Sequence, residues 1–405
     1  MSNRMTMRDR VARAATLGVN LVSRLLGRGS GTVIGGRMGL QIAPRLLESL
    51  SIGRTIALVS GTNGKTTTTS MVAAGWGGAV ATNQTGANMP AGHVAALCAD
   101  ASERAVLEVD EAWLASVLEA SHARVVILLN LSRDQLDRAN EVRQMAERWR
   151  AALGVERQWP LSVVANANDP LVVFAARESH RVLWCDVPTT WLADAMSCPV
   201  CTGVVHFEGR EWWCTCGFKK PDPITTSLDE ALHVAGEAVA LDLAIPGEFN
   251  RANAAMALSA VHELGEPLER AVERVNALSS VAGRFSLRHW RGRDLRLLLA
   301  KNPAGFTAML STVPADKSEV WVAINARIAD GRDPSWLYDV GFESLRGHRV
   351  RCLGERRLDL ATRLEYAGVD YVVVDDDSEL ATPDAPVLLL ANYTAFADWL
   401  ARSES

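Results

Sequence analysis

The stretch Val59-Ser60-Gly61-Thr62-Asn63-Gly64-Lys65-Thr66-Thr67-Thr68 decides the fold of this chain. It follows an apolar segment at 56–59, so we expect a loop that leads from a buried β-strand into an α-helix. The backbone N–H groups of such a loop and the positive end of the helix face one point, where nucleotide phosphates bind. The usual signature has a glycine six residues before the lysine, and Val59 stands there, so the loop is a shortened variant.

Single positions of this loop have predicted roles. Lys65 is expected to neutralise the outer phosphates, and the Thr66 hydroxyl is expected to bind Mg²⁺. The residues predicted to surround the nucleotide phosphates are Gly61, Thr62, Asn63, Gly64, Lys65, Thr66 and Thr67. The alternative is a tight strand-to-helix turn without a ligand, and the preceding strand and following threonines favour the nucleotide.

Carboxylates end the next predicted strand, at 105–109. A carboxylate at the carboxyl end of a strand beside a phosphate loop lies where Mg²⁺ needs a second protein ligand. Glu108 and Asp110 fall on one face of the strand because side chains alternate, and Glu111 is expected to start the next helix. We predict that Glu108 is the magnesium ligand, although such acids elsewhere cap helices.

Composition limits the class of protein. The 405 residues suffice for two or three domains, and 48% hydrophobic residues indicate a globular chain. The net charge of −5 disfavours a bulk nucleic-acid binder. The sequence shows neither an apolar run near the roughly 20 residues that span a bilayer nor an export signal, so we expect a cytoplasmic location.

The amino-terminal segment, 1–50, is basic. Up to Arg54 the chain has nine arginines against Asp9 and Glu48, with leucines and valines between them. Two interpretations stay open. The segment is either a basic helix at the inner face of an anionic membrane or an arm packed on the domain.

The remaining chain alternates apolar runs with helical patterns, which is typical of a parallel sheet covered by helices on both sides. The alternation of apolar runs and helical patterns is interrupted near residue 283, and a second series of apolar runs and helical patterns follows. We therefore predict a central ATP-binding domain at 51–285 and a smaller, Rossmann-like α/β domain at 286–405. The predicted strands are 55–60, 105–109, 125–130, 162–166, 181–184, 295–299, 320–324, 348–352, 371–374 and 387–390.

Four of the seven cysteines cluster in an insertion at 197–223. They are Cys198, Cys201, Cys214 and Cys216. Four thiolates suit tetrahedral Zn²⁺ and leave no position for water or substrate, so we predict a structural zinc ribbon. A redox dithiol pair and an insertion that has lost its metal are the alternatives. The isolated cysteines 98, 185 and 352 are expected in the core.

Three motifs together resemble the Mur ligase superfamily, ATP-dependent enzymes that form amide bonds. They are the loop at 60–68, the segment Ile245-Pro246-Gly247-Glu248-Phe249-Asn250-Arg251-Ala252-Asn253-Ala254, and Gly283-Arg284-Phe285. Within the superfamily the chain resembles the MurT family from about residue 40 onward. The segments that carry this closer similarity are 85–89, 108–111, 133–138, the four-cysteine insertion, 301–306 and 329–336.

The resemblance implies a two-subunit enzyme of cell-wall synthesis. A GatD-type glutaminase would supply ammonia, and this chain would use ATP to amidate the α-carboxyl of D-glutamate in lipid II. By the same resemblance Asn253 is the first choice for the contact to adenine and Asn250 the second, and Arg284 faces the γ-phosphate. Asp333 would complete the Cys-His triad of the partner, with Asp330 and Asp339 as second choices.

Two departures bear on this implication. Many related ligases use a carbamylated lysine as a metal ligand, yet the chain has no lysine between Lys65 and Lys219. It also lacks a cysteine on a glycine-flanked strand-to-helix turn, so ammonia must come from a second polypeptide. A stand-alone enzyme that adds an amino acid is the alternative. A remote one is a nucleic-acid NTPase whose ribbon binds a strand through Trp212, Trp213, Lys219 and Lys220.

Overall fold

The computed structural model describes residues 5–25, 32–83, 87–133, 142–189, 191–228, 231–278, 285–316, 318–376, 380 and 387–403. These residues form two compact units. The first comprises those up to 131, 142–243 and 250–278, and the second comprises 132, 133, 244–249 and those from 285 onward. The predicted domain borders after residues 50 and 285 stay predictions.

Helices up to residue 278 begin with three that precede the first strand. The described helices of this part are α1 (Met7–Leu25), α2 (Thr32–Ile42), α3 (Leu46–Ser51), α4 (Lys65–Trp76), α5 (Pro90–Ala99), α6 (Leu114–Ser121), α7 (Val142–Leu153), α8 (Pro170–Ala176), α9 (Glu248–Glu263) and α10 (Leu268–Asn276), with short 3₁₀ helices at Glu111–Trp113 and Ala193–Ala195. The predicted helix at 111–120 is therefore a 3₁₀ turn followed by α6.

The strands of the first unit form a large sheet and one separate hairpin. They are β1 (Thr55–Ser60), β2 (Val80–Thr82), β3 (Arg104–Glu108), β4 (Val125–Leu128), β5 (Ser162–Asn166), β6 (Val182–Asp186), β7 (Val205–Glu208), β8 (Glu211–Cys214), β9 (Thr225–Leu228), β10 (Ala231–Val234) and β11 (Glu237–Val239). Within the described residues the large sheet has nine strands in the order β11-β10-β9-β6-β5-β4-β1-β3-β2.

The large sheet is parallel from β2 to β9, as the alternating pattern predicts. The pairs β9–β10 and β10–β11 are antiparallel and extend one edge, which sequence analysis did not predict. Strands β1 and β4 are buried almost throughout, because helices lie on both faces of a parallel sheet. Strand β1 has β3 on one side and β4 on the other, so the carboxyl ends of these three strands meet at one edge.

The second unit is a smaller α/β fold with one antiparallel edge. Its described strands are β12 (Phe285–Trp290), β13 (Arg293–Leu299), β14 (Val320–Ala323), β15 (Arg349–Leu353), β16 (Asp370–Val373) and β17 (Val387–Ala391), and its helices are α11 (Pro303–Leu310), α12 (Arg357–Ala367) and α13 (Tyr393–Arg402), with 3₁₀ helices at Pro334–Asp339 and Phe342–Leu345. The strand order is β12-β13-β17-β14-β15-β16, and only the pair β12–β13 is antiparallel among these. Its core includes the mutually packed rings of Trp290, Trp321 and Trp399.

Candidate functional site

The loop between β1 and α4 has the backbone of a phosphate-binding loop. Gly61 and Gly64 have φ angles of 144° and 88°, which L side chains rarely adopt. A Cβ at Gly64 would lie 2.6 Å from Oδ1 of Asn253, so a side chain there would strike its neighbour. Helix α4 starts at Lys65 directly after this glycine, and its first N–H groups point toward the concave side of the loop.

Asn130, just after β4, holds this loop in place. Its Oδ1 accepts a hydrogen bond from the Asn63 N–H at 2.9 Å, and its Nδ2 donates to the Asn63 carbonyl at 3.0 Å. The backbone carbonyl of Asn130 also accepts from the Thr62 N–H at 2.9 Å. Sequence analysis assigned no role to Asn130. The only signal for it was its place at the end of the strand beside β1.

Lys65 is folded over the loop. Its Nζ donates to the carbonyls of Gly61 at 2.5 Å and Thr62 at 3.2 Å, and it forms an ion pair with Glu111 at 3.0 Å. Burial raises the pKa of Glu111, and the Lys65 ammonium opposes that rise. Both side chains are at most 15% exposed, so each partner stabilises the charge of the other away from water.

Thr66 and Glu108 form a buried oxygen pair beside Lys65. The Thr66 hydroxyl donates to Oε2 of Glu108 at 2.8 Å, and the two residues are 8% and 3% exposed. The register pairs Val59 of β1 with Glu108 of β3, which explains why this carboxylate reaches the loop. The structure thus brings together two of the predicted magnesium ligands.

The backbone of Glu108 is fixed by two side chains. Its N–H donates to Oδ1 of Asn83, and its carbonyl accepts from Nδ2 of Asn83 and from Nε2 of His93, each at 2.8 Å. Because a carbonyl can only accept, His93 carries its proton on Nε2. Burial lowers the pKa of His93 to about 4, so the ring is neutral at pH 7. Neither Asn83 nor His93 was among the predicted site residues.

Helix α9 brings the predicted adenine contacts next to the loop. Asn250 and Asn253 are 2% and 8% exposed, and Nδ2 of Asn253 lies 3.5 Å from Oδ1 of Asn250. The Asn253 side chain packs directly over Gly64, as its distance to a Cβ built there shows. Arg284 lies outside the described residues, and so do Thr85, Gly86 and the segment 134–138.

The four cysteines of the insertion converge. Their sulfur atoms all lie within 4.8 Å of one another, with 3.8 Å between Cys198 and Cys216 and 3.4 Å between Cys201 and Cys214. A tetrahedron with Zn–S bonds of about 2.3 Å has edges of about 3.8 Å. Among the described residues, these four are the one group of three or more His, Cys, Asp or Glu side chains close enough together to share a metal ion.

A buried charge cluster connects the insertion to the end of β6. Lys220 is 3% exposed in its side chain and pairs with Asp186 at 3.0 Å, while Arg210 pairs with the same carboxylate at 2.8 Å. Trp212 is also buried, and its Nε1 donates to the carbonyl of Ala167 at 2.9 Å. The prediction that Lys220 and Trp212 could bind a nucleic-acid strand is therefore wrong, because both are part of the interior.

The acidic residues near 330 differ sharply in environment. Asp330 is buried, and its oxygens accept from the N–H and hydroxyl of Thr394 and from the Arg327 N–H. Asp333 is exposed, and its Oδ1 accepts from the Ser335 N–H at 2.9 Å, which lowers the pKa of Asp333. The carboxylate of Asp330 is thus used in hydrogen bonds that hold this loop, whereas Asp333 presents a carboxylate to solvent.

Comparisons with known proteins agree with these features. Residues 59–187 match the Mur ligase middle domain, and residues 299–396 match the MurT ligase C-terminal domain. The chain is 28% identical to the lipid II isoglutaminyl synthase (glutamine-hydrolyzing) subunit MurT of Staphylococcus aureus (strain COL), over 93% of this chain and 94% of that protein. It is 27% identical to the subunit of the same name from Streptococcus pneumoniae, over 94% and 93%.

Among solved structures, a pseudomurein peptide ligase type C from Methanothermus fervidus superimposes with a TM-score of 0.66 at 18% identity. It covers 86% of this chain and 78% of its own. MurF from Acinetobacter baumannii also superimposes, with a TM-score of 0.61 at 15% identity, over 90% of this chain and 80% of its own, so the fold is that of the Mur ligases. The two domain matches and the curated relatives, which align over 93% of the chain or more, support a place for it in the MurT family.

Proposed function

We propose that the chain is the ATP-dependent subunit of a lipid II isoglutaminyl synthase. It converts the α-carboxylate of D-glutamate in the lipid II stem peptide into an acyl phosphate, and ammonia then displaces phosphate to give D-isoglutamine. Relatives with this name match 93% of the chain. The structural observation that supports the proposal is the phosphate loop with the Thr66–Glu108 pair beside it.

The residues around the loop fit ATP and Mg²⁺. In an octahedral site with ligand distances of about 2.0–2.1 Å, adjacent oxygens lie about 2.9 Å apart. The Thr66 hydroxyl and Glu108 carboxylate are 2.8 Å apart, so they can occupy two adjacent positions. When bound, ATP would supply the phosphoryl group that activates the substrate carboxylate, and Mg²⁺ would offset the negative charge of the phosphates.

Lys65 supplies the positive charge of the site. It is held by Glu111 and by loop carbonyls, and anionic phosphate oxygens can replace these acceptors, so the Lys65 ammonium stays paired with negative charge when the nucleotide binds. Asn130 keeps the loop N–H groups aimed at the phosphates. Asn250 and Asn253 are the proposed adenine contacts, and Arg284 remains the predicted γ-phosphate contact.

We assign the glutaminase contact to Asp333. A carboxylate can orient an imidazole of another chain only if it reaches the surface, and Asp333 does so while Asp330 does not. Its exposed position at the start of a 3₁₀ helix is well suited to a GatD-type glutamine amidotransferase partner. Asp339, at the end of the same helix, is also exposed and serves as a control.

We further propose that Cys198, Cys201, Cys214 and Cys216 hold one structural Zn²⁺. Their sulfur separations suit a ZnS₄ tetrahedron, and besides cysteines the large apolar side chains buried in the insertion are only Val205, Trp212 and Phe218 among the described residues. A metal bound by four thiolates has no open coordination position, so its role is to hold the ribbon together.

The test separates the two half-reactions. Purified with its glutaminase, the wild-type complex should amidate lipid II with either glutamine or ammonia. Lys65→Ala should abolish both reactions, Asp333→Asn should abolish only the glutamine-driven one, and Asp339→Asn should keep both. Equal loss of both reactions in Asp333→Asn would refute the assignment of Asp333. Turnover with a free amino acid in place of ammonia would instead support a stand-alone ligase.

A further inference from the structure

Helix α1 buries its polar side and exposes its apolar side, which is the opposite of an ordinary surface helix. Its buried side is polar or small, with Thr16 at 0%, Asn20 at 3%, Ser23 at 7% and Asp9 at 6% exposure. A helix on the surface of a globular protein normally buries its large apolar residues. In α1 the large apolar residues face outward, and packing within this chain does not account for that arrangement.

Helix α2 packs closely on the polar side of α1 through glycines. A Cβ at Gly35 would lie 2.0 Å from Oδ1 of Asn20, and a Cβ at Gly39 would lie 2.3 Å from Oγ1 of Thr16. Small residues and polar side chains between helices, with apolar groups outside, are characteristic of helix pairs in contact with lipid. None of the described helices is both long enough and apolar enough to cross a bilayer.

The outward sides of α1 and α2 carry large apolar residues. Met7, Val11, Val22 and Leu25 fall on one side of α1 by helical spacing, with the small residues Ala14 and Gly18 between Val11 and Val22. We call the exposed apolar residues of the two helices the apolar face. It consists of Met7 (76% exposed), Val11 (52%), Leu17 (36%), Leu21 (56%), Val22 (54%) and Leu25 (77%) on α1, and Val33 (42%), Ile34 (58%) and Met38 (40%) on α2.

The charges beside the apolar face are positive. Arg8 and Arg10 on α1 and Arg37 on α2 are exposed. The single acidic residue in the first 43 positions is Asp9, and it is buried, with Oδ2 accepting from the N–H and hydroxyl of Thr6. The exposed charge on these two helices is therefore cationic, which matches the anionic headgroups of a membrane.

We propose that the apolar face docks on an anionic bilayer surface, with its side chains at the level of the upper acyl chains and the arginines at the headgroups. A second copy of the chain would bring these arginines near one another, and so suits the face less well. The docking itself does not depend on the proposed activity. Its purpose does, because lipid II is a lipid-linked substrate and a docked enzyme meets it in two dimensions.

The test measures binding of the full-length protein to vesicles without ATP. One set of vesicles is phosphatidylcholine alone, and the other contains one quarter phosphatidylglycerol. We expect sedimentation with the anionic vesicles and a decrease at high salt. Leu21→Ser with Val22→Ser should weaken binding about tenfold or more, since two exposed apolar side chains lose their burial in lipid. Arg10→Glu should weaken it about tenfold through charge alone.

Ile328→Ser with Leu358→Ser is the matched control, because these residues are 84% and 64% exposed and belong to the second unit. Equal binding of wild type and both α1 variants, or equal weakening by the control, would overturn the proposal. So would light scattering that shows a dimer dissociated by Leu21→Ser with Val22→Ser in the absence of vesicles. ATP-dependent amidation of a lipid-free muropeptide tests the proposed function separately and should be unchanged in these variants.

Discussion

Asn130 offers a direct test of how the loop is prepared for nucleotide. Its side chain makes two hydrogen bonds to the backbone of Asn63, at 2.9 and 3.0 Å. Asn276 makes a matching pair elsewhere in the same unit, accepting from the Asp242 N–H at 3.0 Å and donating to the Ala240 carbonyl at 3.2 Å. Both asparagines are half-buried, so Asn130→Ala and Asn276→Ala remove equivalent interactions at different places.

The expected magnitude follows from these two bonds. Each hydrogen bond contributes about 0.5–1.5 kcal/mol net, so Asn130→Ala removes about 1–3 kcal/mol of the free energy that holds the loop in its nucleotide-binding conformation. ATP must then order the loop as it binds, which raises the Kd by about fivefold to 150-fold. Asn276→Ala loses a similar amount of local stability, yet the Kd for ATP should stay within about twofold of wild type.

Calorimetric titration with a non-hydrolysable ATP analogue and Mg²⁺ measures both Kd values, and thermal unfolding measures the cost to the fold. If Asn130→Ala lowers the melting temperature but leaves the Kd unchanged, the side chain serves the fold alone and the reasoning is refuted. The same holds if both variants weaken ATP binding equally. Lack of ATP binding by wild type would instead count against the proposed function.

Three further predictions concern stability. Lys220→Met leaves a buried carboxylate with one cation fewer and should lower the free energy of unfolding in urea by about 3 kcal/mol, whereas exposed Lys219→Met should change it by less than about 0.5 kcal/mol. The folded pKa of His93, about 4, lies below the unfolded value of about 6.5, so the unfolded state takes up this proton first. The free energy of unfolding should therefore fall by about 3 kcal/mol as the pH is lowered from 6.5 to 4, and His93→Gln should flatten this dependence. Cys214→Ser should reduce metal content from about one zinc per chain to none and lower the melting temperature while ATP still binds, and Cys185→Ser should keep the zinc.

Buried parallel strands were the most predictable part of the fold. Strands 55–60 and 162–166 were predicted with the bounds observed, because a strand covered on both faces is a continuous apolar run ended by polar residues. The antiparallel strands β9, β10 and β11 were missed. They are only three or four residues long and each contains a polar residue, so their sequence lacks the apolar run that marks a buried strand.

Only part of the candidate site could be predicted from the sequence. Lys65, Thr66 and Glu108 could be chosen because each belongs to a local pattern with a known physical basis. Asn130 and Glu111 lie 67 and 46 positions from the loop residues they contact, and the parallel register brings them there. Sequence shows that a residue ends a strand, but which strands are neighbours depends on the crossover connections. Residues that position the loop therefore become visible only once the strand order is known, and they are the ones whose substitution best separates folding from nucleotide binding.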